Sequence, residues 1–175
     1  MQVDPNAVAI ASRIMHHYEG CEKRRADGRI EPYRDAKGVA TIGWGNTHWR
    51  DGSAVRLNDA PITQADADAL YDHYLAVFSR DVCDLLPEGT APHEAAAFIA
   101  LSYNIGTSHE GFAGSTALRE FLQGKKDAAG DGIEMWNRSG GQVLKGLQRR
   151  RRAERLVFDG VAVDEALQQA EQAFP

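Results

Sequence analysis

Glu19, Asp35 and Thr41 place two carboxylates and a hydroxyl around a glycine-rich stretch that runs Tyr33-Arg34-Asp35-Ala36-Lys37-Gly38-Val39-Ala40-Thr41-Ile42-Gly43-Trp44-Gly45. This is the set of groups that cleavage of a glycosidic bond requires. A protonated carboxyl gives its proton to the leaving oxygen, while an ionised carboxylate serves a water or attacks the sugar itself. Glu19 falls at the carbonyl end of a predicted helix, where the partial negative charge disfavours an ionised carboxylate and so favours an acid. Asp35 falls in a turn-rich segment where backbone N–H groups and water favour the ionised form. Thr41 follows six positions later (41 − 35), across a turn at Lys37-Gly38, so its hydroxyl can join Asp35 in holding one water. The same residues also have purely structural readings. Glu19 can be a solvated helix end, Asp35 a turn residue capping its own loop, and Thr41 a strand former, while Glu22, Asp27 and Glu31 are competing acids nearby.

These groups must be positioned by the elements around them. Asp4-Pro5 is an N-cap followed by proline in a first helical turn, and Val8, Ala11, Met15 and Tyr18 recur at helical spacing. The spacing predicts a helix ending near Glu19, with Gly20 as a left-handed cap. Residues 21–32 are polar and carry an Asp27-Gly28 turn signal, so they read as loop or hairpin. Val39, Thr41, Ile42 and Trp44 among Gly38, Gly43 and Gly45 suit a small antiparallel sheet. Thr63 with Asp66 resembles a capping box, and Ala67, Leu70, Tyr74, Val77, Phe78 and Val82 predict a long helix to about Leu86, ended by Pro87. Beyond Pro92 the pattern is helical over 93–105, 115–122 with Ser115 as cap, 127–137, 147–158 and 164–174, punctuated by Gly106, Gly124 and Gly140-Gly141.

The 175 residues, 43% hydrophobic and 26% charged, suffice for one folded domain. No apolar run reaches the roughly 18 to 20 residues that would span a bilayer, and the start lacks the basic and apolar regions of a secretory signal. Synthesis in a cytoplasm without stable membrane insertion is expected. Cys21 and Cys83 match no metal spacing, and free thiols are expected. His16-His17 are adjacent and point to different faces, which is no metal pattern. The net charge of −5 gives no global attraction to a polyanion, although Lys145, Arg149, Arg150, Arg151, Arg152 and Arg155 crowd one segment. On a helix Arg150 lies four before Glu154, which points to an internal pair rather than a nucleic-acid surface. Trp136 and Phe158 are expected in the core, and Trp44 and Trp49 are candidates to stack on a sugar.

Glu19-Gly20 followed by Tyr33-x-Asp35-x-x-Gly38-x-x-Thr41-Ile42-Gly43-x-Gly45-x-Thr47 resembles the active-site segment of the phage-type lysozymes of glycoside hydrolase family 24, the bacteriophage endolysins. The resemblance continues through Tyr103-Asn104-Ile105-Gly106, Phe112 with Ser115-Thr116, Trp136-Asn137, Gly140-Gly141, Gly146-Leu147 and Arg150-Arg151-x-x-Glu154-x-x-x-Phe158, covering most of residues 8–160. It implies an α+β, mainly helical, lysozyme-like fold in one domain over 1–175. A small β-containing N-terminal lobe, about 18–62, is joined by a helix, about 63–86, to a helical C-terminal lobe, about 87–175, packed with helix 5–19. It implies an endolysin muramidase that hydrolyses the β-1,4 bond between N-acetylmuramic acid and N-acetylglucosamine in peptidoglycan. Glu19 would be the general acid, Asp35 the carboxylate serving water and Thr41 its partner. Tyr33, Trp44, Asn46, Thr47 and Asn104 would meet the sugars. No metal or organic cofactor is implied. A monomer is expected, with peptidoglycan glycan strands rather than nucleic acid as partner, made in the host cytoplasm and acting at the wall after release.

Two departures stand out. Glu19 and Asp35 lie sixteen positions apart (35 − 19), farther than is common in the family, which implies an insertion within Cys21 to Pro32; Ala26, not a glutamate, occupies the shorter spacing. Trp44-Gly45-Asn46 stands where Tyr-Gly-His is common. The inserted Lys23, Arg24, Arg25 and Arg29 could meet wall carboxylates or be solvated loop charges. Thr41 favours inversion, for which carboxyl groups stand roughly 6.5 to 9.5 Å apart. A lytic transglycosylase would need Glu19 but neither Asp35 nor Thr41, and a catalytically silent wall-binding module would need none of the three.

Overall fold

A computed structural model of the protein describes residues 3–21, 23–35 and 38–175. Glu22 among the competing acids, and Lys37 of the expected turn, lie outside the described residues. The described residues are mainly helical, with two small antiparallel sheets of two strands each among them. In chain order the elements are α1 (Pro5–Tyr18), β1 (Tyr33–Arg34), β2 (Ala40–Thr41), α2 (Gln64–Cys83), α3 (Pro92–Ile105), α4 (Thr116–Leu122), α5 (Lys126–Glu134), β3 (Arg138–Ser139), β4 (Gln142–Val143), α6 (Lys145–Phe158) and α7 (Val163–Ala173). Among the described residues no helix is long and apolar enough to cross a membrane. The chain divides into two compact units, His16–Val77 and Met1–Met15 with Phe78–Pro175.

In the unit His16–Val77, the core is Ile30, Ile42, Val55, Ala67 and Leu70, with Trp44, Trp49, Ile62 and Tyr74 packed on it. Within the inserted segment, residues 24–30 form a small hairpin. Arg24 bridges Ile30, the Arg25 N–H reaches Arg29 O at 2.8 Å, and Gly28 turns the chain at φ +81°. Ile30 exchanges two backbone hydrogen bonds of 2.8 Å with Ile62, which seats that hairpin on the core. β1 and β2 pair Tyr33 with Thr41 and Arg34 with Ala40. The strands are shorter than the β-formers suggested, because Val39 lies in the turn and Gly43 and Gly45, both at positive φ, reverse the chain immediately after Ile42. At the start of α2 the Asp66 N–H donates to Thr63 Oγ1 at 3.1 Å and the Thr63 N–H donates to Asp66 Oδ2 at 3.2 Å. This is the reciprocal cap, and the Thr63 hydroxyl, donating to Asp66 Oδ2 at 2.7 Å, followed by the Thr63 N–H, holds the Asp66 carboxyl below the usual aspartate range.

The other unit holds the N-terminal part of α1, which starts as expected. Asp4 Oδ1 accepts the Asn6 N–H at 2.7 Å, and Pro5 occupies a position whose N–H would be unpaired anyway. Phe98 of α3 gathers Phe112, Phe121 and Phe158 at ring separations of 5.0 to 5.2 Å. Ser115 caps α4, its hydroxyl accepting the Leu118 N–H at 3.1 Å.

The arginine run is ion-paired inside this unit. Glu154, fully buried, receives Arg150 Nε at 3.2 Å and Arg151 Nη2 at 3.0 Å, so the expected pair is a triad. Arg149 meets Glu171, Arg152 meets Glu134, and Arg155 spans Asp131 and Asp159.

Three expectations are corrected. α1 ends at Tyr18, near Glu19 as expected, but Gly20 is not among the residues at positive φ, so the chain leaves the last turn without the reversal that a left-handed glycine produces. α5 stops at Glu134, where the Asn137 side chain donates to Glu134 O at 2.9 Å, and Trp136 beyond that end is half-buried rather than in the core. The following residues form the hairpin β3–β4 around Gly140-Gly141, both at positive φ, where only helix punctuation was expected.

Candidate active site

All three candidate catalytic residues lie in the unit His16–Val77. Asp35 and Thr41 meet on the backbone of one residue, Val39. The Val39 N–H donates to Asp35 Oδ1 at 2.8 Å, while Val39 O accepts both the Asp35 N–H at 2.9 Å and the Thr41 hydroxyl at 3.0 Å. The fold accounts for this. β1 and β2 run antiparallel with Arg34 opposite Ala40, so Asp35 and Val39 close the turn one step beyond the ladder. Asp35 therefore does cap its own loop, as its structural reading requires, and Thr41 bonds to the carbonyl of the same residue that the Asp35 carboxyl holds by its N–H. The Thr41 proton is committed to a carbonyl, so its oxygen is an acceptor toward any further partner. Thr41 is buried and Asp35 half-buried.

Glu19 follows the last residue of α1, and its carboxyl lies against the turn that continues from β2. A Cβ built on Gly45 would stand 3.0 Å from Glu19 Oε2 and 3.5 Å from its carboxyl carbon. Gly45 has φ +86°, and the turn is closed by two backbone bonds between Ile42 and Asn46, at 2.9 and 3.0 Å. Glycine is thus needed twice at this position, for its conformation and for the close approach of the acid. The local sequence signalled a turn but not this contact.

The two competing acids among the described residues, Asp27 and Glu31, are engaged elsewhere. Asp27 Oδ1 accepts the Arg29 N–H at 3.0 Å, and Glu31 lies 3.8 Å from Arg25.

Among the other candidates, Tyr33 is half-buried in the ladder opposite Thr41, and Asn46 is buried within the turn. Thr47 Oγ1 lies 3.0 Å from His48 Nδ1. Trp44 is half-buried, its indole N–H donating to Asp68 Oδ1 at 2.7 Å. Trp49 is tied down at both ends, its indole N–H on Asp59 Oδ2 at 2.8 Å and its carbonyl on the Tyr74 hydroxyl at 2.7 Å. Asn104 belongs to the last turn of α3, in the other unit, and is half-buried. Both cysteines are free thiols, and burial pushes each up from its ordinary range, which lowers its thiolate fraction.

Comparison with known proteins shows the family and the fold. The phage lysozyme family model matches residues 16–154. The endolysin of Salmonella phage P22 is 33% identical over 136 residues, covering 78% of this chain and 90% of that protein. Among solved structures, an endolysin from Escherichia coli O157:H7 phage FAHEc1 superposes with a TM-score of 0.71 at 26% identity, over 92% of this chain and 96% of the other. The muramidase domain of SpmX from Asticaccaulis excentricus superposes with a TM-score of 0.64 at 25% identity, over 90% and 97% respectively.

Proposed function

Because the chain belongs to the phage lysozyme family, we propose that it is an endolysin muramidase that cuts the β-1,4 bond between N-acetylmuramic acid and N-acetylglucosamine by inversion at Glu19, Asp35 and Thr41. It is a glycoside hydrolase whose substrate is peptidoglycan. Glu19 donates its proton to the glycosidic oxygen as the bond to the muramic anomeric carbon breaks. A water that donates one hydrogen bond to the Asp35 carboxylate and one to the Thr41 oxygen turns its lone pair toward that carbon from the opposite face. As the C–O bond forms, Asp35 takes the proton that the water loses. Tyr33, Trp44, Asn46, Thr47 and Asn104 are the proposed contacts to the sugars. The protein is made in the host cytoplasm and acts at the wall after release, as a monomer.

The observation that carries this reading is the anchoring of both Asp35 and Thr41 on the Val39 backbone. A transglycosylase needs no water held by a carboxylate and a hydroxyl together. The test is release of reducing ends from purified cell walls by the native protein and by Glu19→Gln and Asp35→Asn. Both variants should fold and neither should release product; lysis retained by Glu19→Gln would remove the acid assignment.

A further inference from the structure

Trp44 is held from two sides. Its indole N–H donates to Asp68 Oδ1, and its ring lies 4.6 Å from the His16 imidazole, which stands 4.4 Å from Tyr71. Asp68 Oδ1 also receives Gln64 Nε2 at 2.6 Å, and Gln64 Oε1 accepts from the Arg24 guanidinium. The neighbours dictate the orientation of that amide, since a cation needs its oxygen and a carboxylate needs its nitrogen. Three hydrogen bonds thus run from the inserted hairpin, along one turn of α2, to the residue preceding Gly45. Arg24 is also fixed to its own loop, donating to Gly28 O at 3.0 Å. On either side of Trp44 the backbone is in close contact. A Cβ on Gly43 would lie 3.1 Å from the Ala67 Cβ, and Gly45 meets the Glu19 carboxyl. Displacement of Trp44 therefore moves the wall against which that carboxyl rests.

We infer that the inserted hairpin is a brace for the reaction site, with Arg24, Gln64 and Asp68 as positioning residues that fix Trp44 and, through it, the Gly43–Gly45 turn against Glu19. This rests on Glu19 being the acid of the proposed hydrolysis. It assigns the insertion an internal task, in contrast to a loop whose cations bind carboxylates of the wall. The two roles compete for the same guanidinium, which Gln64 and Gly28 already hold.

The test is a double-variant cycle on steady-state hydrolysis of purified peptidoglycan, using the native protein, Arg24→Ala, Trp44→Phe and the two combined, with a melting temperature for each. Arg24→Ala should lower kcat about three- to tenfold, the range expected from losing one or two such hydrogen bonds, with KM and melting temperature little changed. In Trp44→Phe, which has no indole N–H for Asp68, adding Arg24→Ala should cause no further loss. Full additivity of the two changes, an unchanged kcat in Arg24→Ala, or a raised KM at constant kcat would each overturn the brace. A native protein that releases no reducing ends in the same assay would instead overturn the hydrolysis on which the brace rests.

Discussion

Replacing Gly45 by alanine separates the two demands on that residue. At φ +86° an L side chain is strained, a cost of about 1–3 kcal/mol. In addition the new methyl carbon would stand 3.0 Å from Glu19 Oε2, closer than ordinary van der Waals contact, so the carboxyl must give way by a few tenths of an ångström. Gly52 is the matched control, with φ +82° and nothing within 4 Å of a built Cβ. Both substitutions should lower the melting temperature by a similar amount, about 2–4 °C for each kcal/mol in a protein of this size. Only Gly45→Ala should also depress turnover. A displacement of 1 Å in a catalytic group can cost on the order of a hundredfold, so a shift of a few tenths should cost about tenfold. The assay is release of reducing ends at saturating peptidoglycan, well below either melting temperature. A Gly45→Ala enzyme within twofold of native, or an equal loss in Gly52→Ala, would refute the claim that Glu19 works pressed against this turn.

Thr41→Val keeps the shape of the buried side chain but removes its hydroxyl, and should lower kcat by at least about tenfold with KM unchanged, as steady-state kinetics would reveal. Glu154→Ala leaves the buried Arg151 without its carboxylate and should destabilise the fold by about 3–5 kcal/mol in a denaturant titration. Asp51, Asp59, Asp66 and Glu120 are held below their ordinary ranges by hydrogen bonds in the folded state. The unfolded chain therefore binds more protons in acid. Their contribution is present above the unfolded values and is lost as pH falls through the folded ones. The melting temperature should accordingly drop below about pH 4, and Asp66→Asn should flatten part of that drop.

What could be read from the chain was what its residues decide locally. Asp4-Pro5, Thr63 with Asp66, and Ser115 each satisfy a helix start through neighbours two or three positions away, and each does so in the fold. Arg150 with Glu154 was legible for the same reason. The burial of Arg151 was not, since it depends on how α6 packs on α3, α5 and α7. The turn at Asp27-Gly28 marked the stretch at 24–30 as loop or hairpin, whereas the hairpin at 138–143 was harder to see, because pairings of one or two residues are too short to show a period. At the site, Glu19, Asp35 and Thr41 could be singled out by type, spacing and resemblance. The sharing of the Val39 backbone follows from the strand register, the approach of Glu19 to Gly45 joins residues 26 positions apart (45 − 19), and the tether of Trp44 to Asp68 joins residues 24 apart. No local pattern encodes those meetings.

The most direct measurement is the mass spectrum of the muropeptides released when purified peptidoglycan is digested to completion. Hydrolysis by a water held between Asp35 and Thr41 predicts reducing muramic ends, each heavier by one water than the anhydro form. A digest made only of 1,6-anhydromuramoyl products, or one with no cleaved glycan at all, would contradict the account.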